Sequence, residues 1–272
     1  MKNKIYCAGL FRTGTNTLYE MFRRSFCSAH EYMLAPSLAA VEHRAAGRWS
    51  RAEFQAFARD RDAAGKLDVD SSGLNFAFLD VMMEMHPNGK VILTMRDCYS
   101  WLNSCIGAFY RTNGKEHSRH VQRLVSSLDF ASDGTMRWTD RRQFKLCLRQ
   151  MLRTWASVNE YVRRTVPPDR LLVLDTGNLT QAVPEVARFA EIPQRMVDAH
   201  HANGGYGIDY LSCFDLAKVE HLVGEKCSVL MTDRYPHHRG WVAPPRDEGV
   251  PAPDPDAVRK LFSLDQFEPR EI

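Results

Sequence analysis

A run near the start of the chain has the composition to hold an anion: Gly9-Leu10-Phe11-Arg12-Thr13-Gly14-Thr15-Asn16-Thr17-Leu18. Arg12 supplies positive charge, and Thr13, Thr15, Asn16 and Thr17 supply side-chain hydrogen bonds. Gly9 and Gly14 allow turns that other residues resist. The elements that must position this run flank it. Lys4-Ile5-Tyr6-Cys7-Ala8 is a short apolar stretch suited to a buried strand, while Leu18, Met21, Phe22 and Phe26 recur at helical spacing. In a strand, tight turn and helix N-terminus, successive backbone N–H groups converge on one point and the helix dipole adds partial positive charge. A phosphate or similar anion is the expected occupant.

The details of the loop decide which anion. In the nucleoside-triphosphatase pattern GxxxxGK[ST], the Lys reaches the phosphates and the hydroxyl after it holds Mg²⁺. Gly9 and Gly14 keep the glycine spacing, but Thr15-Asn16 stand where Lys-Ser/Thr would be, and the cation is Arg12. Arg12-Thr13-Gly14-Thr15 resembles instead the 5′-phosphosulfate-binding loop of sulfotransferases, whose usual form is Lys/Arg-Ser/Thr-Gly-Thr. A second segment carries the same resemblance. Gly89-Lys90-Val91-Ile92-Leu93-Thr94-Met95 reads as a strand and leads into Arg96-Asp97-Cys98-Tyr99-Ser100-Trp101-Leu102-Asn103-Ser104. In sulfotransferases an Arg at the end of such a strand and a Ser eight residues later bind the 3′-phosphate of the donor, 3′-phosphoadenosine 5′-phosphosulfate (PAPS); Arg96 and Ser104 have that spacing. The pair suits the task, because a guanidinium gives bidentate, charge-assisted bonds to phosphate and a hydroxyl closes the other side.

The resemblance runs over residues 4–240. It implies an α/β fold, a P-loop-like three-layer sandwich with a central parallel sheet flanked by helices. It also implies an enzyme that moves the sulfuryl group from PAPS to a hydroxyl or amine of a small-molecule acceptor, such as a metabolite, glycoside or lipid-like compound, without a metal. Carried onto this chain, the loop residues Arg12, Thr13, Gly14, Thr15, Asn16 and Thr17 cradle the phosphosulfate, Arg96 and Ser104 fix the 3′-phosphate, and Arg12 neutralises charge on the bridging oxygen. Sulfotransferases place the acceptor-activating base at the end of a strand in the part of the chain where Gly65-Lys66-Leu67-Asp68-Val69-Asp70-Ser71-Ser72 alternates like a short strand. Asp70 and Asp68 are the candidates there, with a His or Glu elsewhere as the alternative. The structural counterpart of that reading has Asp70 capping a helix that starts near Gly73 and Asp68 pairing with Lys66 or Arg12. Two other functions stay open: a nucleotide-dependent small-molecule kinase with an altered P-loop, and a non-catalytic PAPS-binding protein.

The helix after Gly73 (Leu74, Phe78, Val81, Met82, Met85) stops at His86-Pro87-Asn88-Gly89. Strand, helix and strand of this length form a right-handed parallel unit. Both phosphate motifs then fall at the C-terminal edge of one sheet, where open α/β folds bind ligands. Leu171-Leu172-Val173-Leu174 is a further core strand whose Asp175 reads as a cap, residues 183–190 and 214–230 read as helices, and residues 29–50 read as irregular up to Ser50, an N-cap with Glu53 three residues on. Residues 140–165 read as one helix with the basic residues Arg141, Lys145, Arg149 and Arg153 along it, either a solvated face or a surface for an anionic partner.

A chain of 272 residues, 44% hydrophobic, is ample for one α/β domain, expected over 1–242, with a Pro-rich linker and tail over 243–272. A net charge of +3 without aromatic interleaving on the basic face excludes a dedicated nucleic-acid binder. Seven scattered cysteines without a CxxC pair point to reduced thiols in a cytoplasmic protein, and there is no apolar run of about 18 residues to span a membrane. His117 with His120, His200-His201 and His237-His238 lack the further ligands that a metal site needs. Oligomeric state is not encoded in any of these features.

Overall fold

Short apolar runs alternating with helices suit parallel strands covered on both faces, and the chain alternates between the two. The computed structural model describes residues 2–112, 116–131, 134–138, 146–199, 207–245 and 249–264. In chain order these form β1 (Ile5–Cys7), α1 (Thr15–Phe22), β2 (Ser28–His30), α2 (Leu34–Ala45), α3 (Arg51–Gly65), β3 (Val69–Ser71), α4 (Leu79–Met85) and β4 (Lys90–Met95). There follow α5 (Cys98–Arg111), α6 (Glu116–Ser127), β5 (Leu128–Phe130), β6 (Met136–Trp138), β7 (Leu146–Cys147), α7 (Leu148–Thr165), β8 (Leu171–Asp175), α8 (Val183–Ala190), α9 (Leu216–Arg234), α10 (Pro255–Leu261) and β9 (Phe262–Ser263).

The described residues group into two compact units, one falling within Met1–Arg96, Phe130–Trp138 and Ser157–Gly204, the other within Asp97–Asp129, Thr139–Ala156 and Gly205–Ile272. The first contains a five-stranded sheet in the order β2-β3-β1-β4-β8. Its neighbouring strands are parallel throughout. Ile5 and Cys7 of β1, Val69 of β3 and Ile92 of β4 share one core with Leu18, Met21 and Phe22 of α1 and Val183, Val186 and Ala190 of α8. This is the P-loop-like architecture expected above. Residues 29–50, expected to be irregular, instead supply the edge strand β2 and the helix α2, with the turn to α3 closed by the capping box of Ser50 and Glu53.

In the second unit, Asp97 caps α5 by accepting from the Ser100 amide at 2.9 Å, and Asn103 binds the backbone around Ile208 and Tyr210. The last described residues are integrated there: β9 pairs with β7, and Arg259 of α10 donates to the Cys213 carbonyl at 2.7 Å. Arg149 and Arg153 of the basic face are paired with Glu225 and Asp129, whereas Arg141 and Lys145 lie outside the described residues. Among the described residues no helix is long and apolar enough to cross a membrane.

Opposite the α1 face, Asp70 of β3 is 2% exposed and its carboxylate takes both Nη atoms of Arg61 on α3, itself 5% exposed, with Nη2 at 3.2 Å. Burial opposes the charge on Arg61, yet the adjoining Asp70 raises its pKa overall. Removing one member of such a pair leaves an uncompensated buried ion. Arg61→Ala is therefore expected to destabilise by about 3–5 kcal/mol in urea unfolding, whereas Ser50→Ala, which removes a cap from the same helix, should cost about 1 kcal/mol.

Candidate active site

Each strand of the parallel sheet leaves the same edge, so the segments after β1, β2, β3, β4 and β8 assemble there. The loop after β1 is the Gly9–Thr17 run, and two backbone features shape it. Arg12, which is not a glycine, sits in the left-handed region at φ 69°, and Gly14 at φ 99° occupies the N-cap of α1. A left-handed non-glycine residue is held only where its surroundings over-determine it. Here they do. Thr13 donates from Oγ1 to the Leu10 carbonyl at 2.5 Å and lies 3.0 Å from Thr94 Oγ1 on β4.

The carbonyls of the loop are tied back. Thr176, just after β8, donates to the Thr13 carbonyl at 2.6 Å and to the Met95 carbonyl at 2.8 Å. Ser71, the last residue of β3, donates to the Thr15 carbonyl at 2.6 Å. These bonds hold the loop carbonyls, and no side chain caps the N-terminus of α1, the end at which a helix offers amides to an anion. Arg12, Asn16 and the backbone of Gly14 are half-buried, while Thr13, Thr15 and Thr17 are buried. Arg96 follows β4 directly and is half-buried at the same sheet edge, and Ser104 is a half-buried residue of α5 in the second unit.

The two carboxylates expected to act as base are placed elsewhere. Asp70 is enclosed with Arg61 as described. Asp68 precedes β3, at the edge of the sheet opposite the loop, and its Oδ2 accepts from the Cys27 amide at 3.0 Å. The strand is also shorter than its alternating sequence, covering Val69–Ser71 alone. Asp175 does cap the turn after β8, accepting from the Gly177 amide at 2.7 Å. Arg239 donates to the Pro236 carbonyl, and His238 lies 3.3 Å from Asp97 and stacks on Tyr99. The side chains of His117 and His120, and the whole of His200 and His201, lie outside the described residues. Among the described residues no cluster of His, Cys, Asp and Glu is arranged to hold a metal.

The segment after β2 contributes what the sequence did not single out. His30 closes β2 with its Nε2 3.1 Å from Thr15 Oγ1 and 3.8 Å from Glu31 Oε1. Burial lowers the pKa of His30 below its ordinary value, against the raising influence of Glu31 and Glu20. Glu31 is clamped: its amide donates to the Ser71 carbonyl at 2.9 Å, and its carboxylate accepts from the Ser72 hydroxyl at 2.7 Å and the Gly73 amide at 2.9 Å. It too has a left-handed backbone, at φ 54°. Two adjacent titratable residues were the available sequence signal, with no periodicity around them to mark a strand end.

A family model described as "Sulfotransferase domain" matches residues 4–179, and the chain belongs to that family. Three solved structures are similar at low identity. A sulfotransferase from Alicyclobacillus acidocaldarius is 12% identical, with 75% of this chain and 87% of that chain covered and a TM-score of 0.45. The sulfotransferase domain from the curacin biosynthetic pathway is 13% identical, covering 75% and 80%, with a TM-score of 0.38. The sulfotransferase domain from the olefin synthase of Synechococcus PCC 7002 is 11% identical, covering 95% and 92%, with a TM-score of 0.38. No curated protein matches the chain.

The loop geometry is testable without a ligand. A Cβ on Gly14 would meet Leu179 Cδ1 at 2.4 Å, whereas one on Gly47, also left-handed at φ 68°, would meet nothing within 4 Å. Gly47→Ala is expected to cost only the left-handed penalty, about 1–2 kcal/mol, and Gly14→Ala clearly more, measured by thermal unfolding.

Proposed function

We propose that this chain is a PAPS-dependent sulfotransferase acting on a hydroxyl or amine of a small-molecule acceptor. The observation that carries the reading is the loop after β1, whose Thr13 and Thr15 carbonyls accept from Thr176 and Ser71 and which opens α1 without a side-chain cap. That arrangement fits the phosphosulfate end of the donor. The Thr13 amide donates within the loop to the Leu10 carbonyl at 3.2 Å, so the amides of Gly14 through Thr17, with the side chains of Thr15 and Asn16, surround it; Arg12 offsets charge developing on the bridging oxygen. Arg96 takes the 3′-phosphate, joined by Ser104 on the strength of its motif spacing. The donor supplies an activated sulfuryl group, and the remaining work is positioning and charge stabilisation, as in phosphoryl transfer.

The proton of the acceptor goes to His30 rather than to Asp70 or Asp68. Asp70 is committed to Arg61, and Asp68 stands at the opposite edge. His30 is at the loop itself, 3.1 Å from Thr15, and its lowered pKa keeps the imidazole neutral and able to accept a proton near pH 7. Once protonated, it has the Glu31 carboxylate 3.8 Å away. Since Glu31 is occupied by Ser72 and Gly73, it orients and stabilises rather than accepts.

Calorimetry with 3′-phosphoadenosine 5′-phosphate, the desulfated product, tests the donor. Binding that requires the 3′-phosphate and collapses in Arg96→Ala is expected, while Arg12→Ala should lower turnover more than donor affinity. A preference for ATP with Mg²⁺ would favour the kinase alternative, and donor binding without turnover on any acceptor the non-catalytic one. For the base, His30→Gln is expected to lower kcat by about 10²–10⁴-fold. In the native enzyme, kcat/KM should fall on acidification only below about pH 6.5, the ordinary imidazole value, because burial shifts the protonation of His30 to lower pH. An acid limb that survives in His30→Gln would assign the base elsewhere.

A further inference from the structure

Thr176 is the first residue after β8, and β8 lies beside β4 with Asp175 opposite Met95. The chain therefore leaves β8 level with Arg96. A short turn over Thr176–Asn178 follows, closed by the bond from the Gly177 amide to the Asp175 carboxylate. From the start of that turn the Thr176 hydroxyl reaches two carbonyls on different segments, that of Thr13 at 2.6 Å and that of Met95 at 2.8 Å. A hydroxyl has one proton to donate, so the two carbonyls share it and both must stay within reach of a single oxygen. We propose that Thr176 is a positioning residue that couples the two phosphate subsites of the donor, holding the Gly9–Thr17 loop at a set span from Arg96. The proposal rests on the sulfotransferase reading and adds to it how the two ends of one ligand are kept in register.

The sheet alone does not set that span. The pairing of β1 with β4 ends at Cys7 and Ile92, with one further bond from the Ala8 amide to the Ile92 carbonyl at 3.0 Å. Arg96 lies four residues beyond Ile92, and alongside that stretch β1 has already given way to the loop. Hydroxyls make the connection there instead. Thr13 Oγ1 lies 3.0 Å from Thr94 Oγ1, a link between side chains, and Thr176 joins the Thr13 carbonyl to that of Met95, the residue bonded to Arg96. Thr176 thus engages the main chain on both sides, and the main chain is what carries the loop amides and Arg96. It is half-buried, so water could satisfy either carbonyl in its place. A water would not tie them to β8, which is held to β4 along its whole length. The γ-methyl has a separate role: it lies 3.5 Å from where a Cβ on Gly14 would stand. Packing and hydrogen bonding at Thr176 are therefore separable by substitution. A ligand with a phosphate at each end gains its second contact as an intramolecular event, and that advantage is lost when the subsites drift from its span. A ligand with one phosphate does not depend on the span.

Calorimetry of the full chain with 3′-phosphoadenosine 5′-phosphate, adenosine 5′-phosphate and adenosine 3′-phosphate tests the coupling, the two mononucleotides being measured by displacement of the first. Thr176→Val keeps a γ-methyl and removes the hydroxyl. It is expected to weaken the two-ended nucleotide about tenfold or more, the scale of one hydrogen bond, and either mononucleotide about threefold or less. Thr176→Ser, which keeps the hydroxyl, should retain the native affinity for the two-ended nucleotide. If Thr176→Val does not fold, Thr176→Ala against Thr176→Ser poses the same question, since these two differ in the hydroxyl alone. The coupling is overturned if loss of the hydroxyl weakens all three nucleotides alike, as a purely structural role would, or leaves the two-ended nucleotide unchanged. A native chain that does not bind 3′-phosphoadenosine 5′-phosphate overturns the sulfotransferase reading itself, and this inference with it.

Discussion

The pair of Arg61 and Asp70 sets the geometry on which the sheet edge depends. Removing two charges from water costs several kcal/mol for each ion, so such a pair persists only when nearly every donor and acceptor is satisfied. Arg61 meets that condition. Beyond Asp70, its Nε and Nη2 donate to the Tyr32 carbonyl at 3.3 and 3.0 Å. Tyr32 lies two residues beyond His30, so one guanidinium links α3, the middle of β3 and the turn that follows β2. Asn75 continues the linkage by donating to the carbonyls of both Asp70 and Cys7, joining the ends of β3 and β1. The spacing between the loop after β1 and the turn after β2 is therefore set by buried bonds beneath them.

Above that base, the strain in the loop and its ties balance. The left-handed backbones of Arg12 and Glu31 each cost on the order of 1–2 kcal/mol. They are offset by hydrogen bonds from three strand ends: Thr94 on β4, Ser71 with Ser72-Gly73 at the end of β3, and Thr176 after β8. Because the ties engage carbonyls and side chains, they restrain the loop without using the amides at the start of α1. A loop held in this way does not need to reorganise when an anion arrives, which is the condition under which fixed dipoles stabilise charge most effectively.

What the sequence made legible follows from how local each signal is. β1 and β4 were readable because strands buried on both faces are continuous apolar runs, the edge strand β8 because Leu171-Leu172-Val173-Leu174 is apolar throughout although only one face is fully buried, and the box of Ser50 and Glu53 because its partners are three residues apart. β2 was not, since Ser28-Ala29-His30 is half-buried at the sheet edge and too short to show alternation. His30 and Glu31 were hidden with it. Asp70 looked available because it sits close to a strand end, but the strand period sends its side chain inward with Tyr6, its neighbour in register, while Ser71 faces Thr15. Only the position of Arg61 on a folded α3 reveals what Asp70 is for. The basic face of α7 had the same limitation. Arg149 finds Glu225 from 76 residues away, a partner no local pattern announces.

A cationic imidazole beside the loop would bind an anion more tightly, yet it could not take a proton. Burial at the β2 end resolves the conflict toward the neutral form, because the desolvation that lowers the His30 pKa outweighs the pull of Glu20 and Glu31. The positive charge that His30 gives up must then come from groups that cannot lose a proton near neutral pH. Arg12 and the amides of α1 are such groups, and Arg96 at the end of β4 is another. On the sulfotransferase reading this divides the labour by chemistry: permanently charged or permanently polar groups face the donor, and the one group at the loop whose charge changes near neutrality is kept for the acceptor. The Arg61 and Asp70 pair, by fixing the turn after His30 from below, lets that group keep its place through the change in charge.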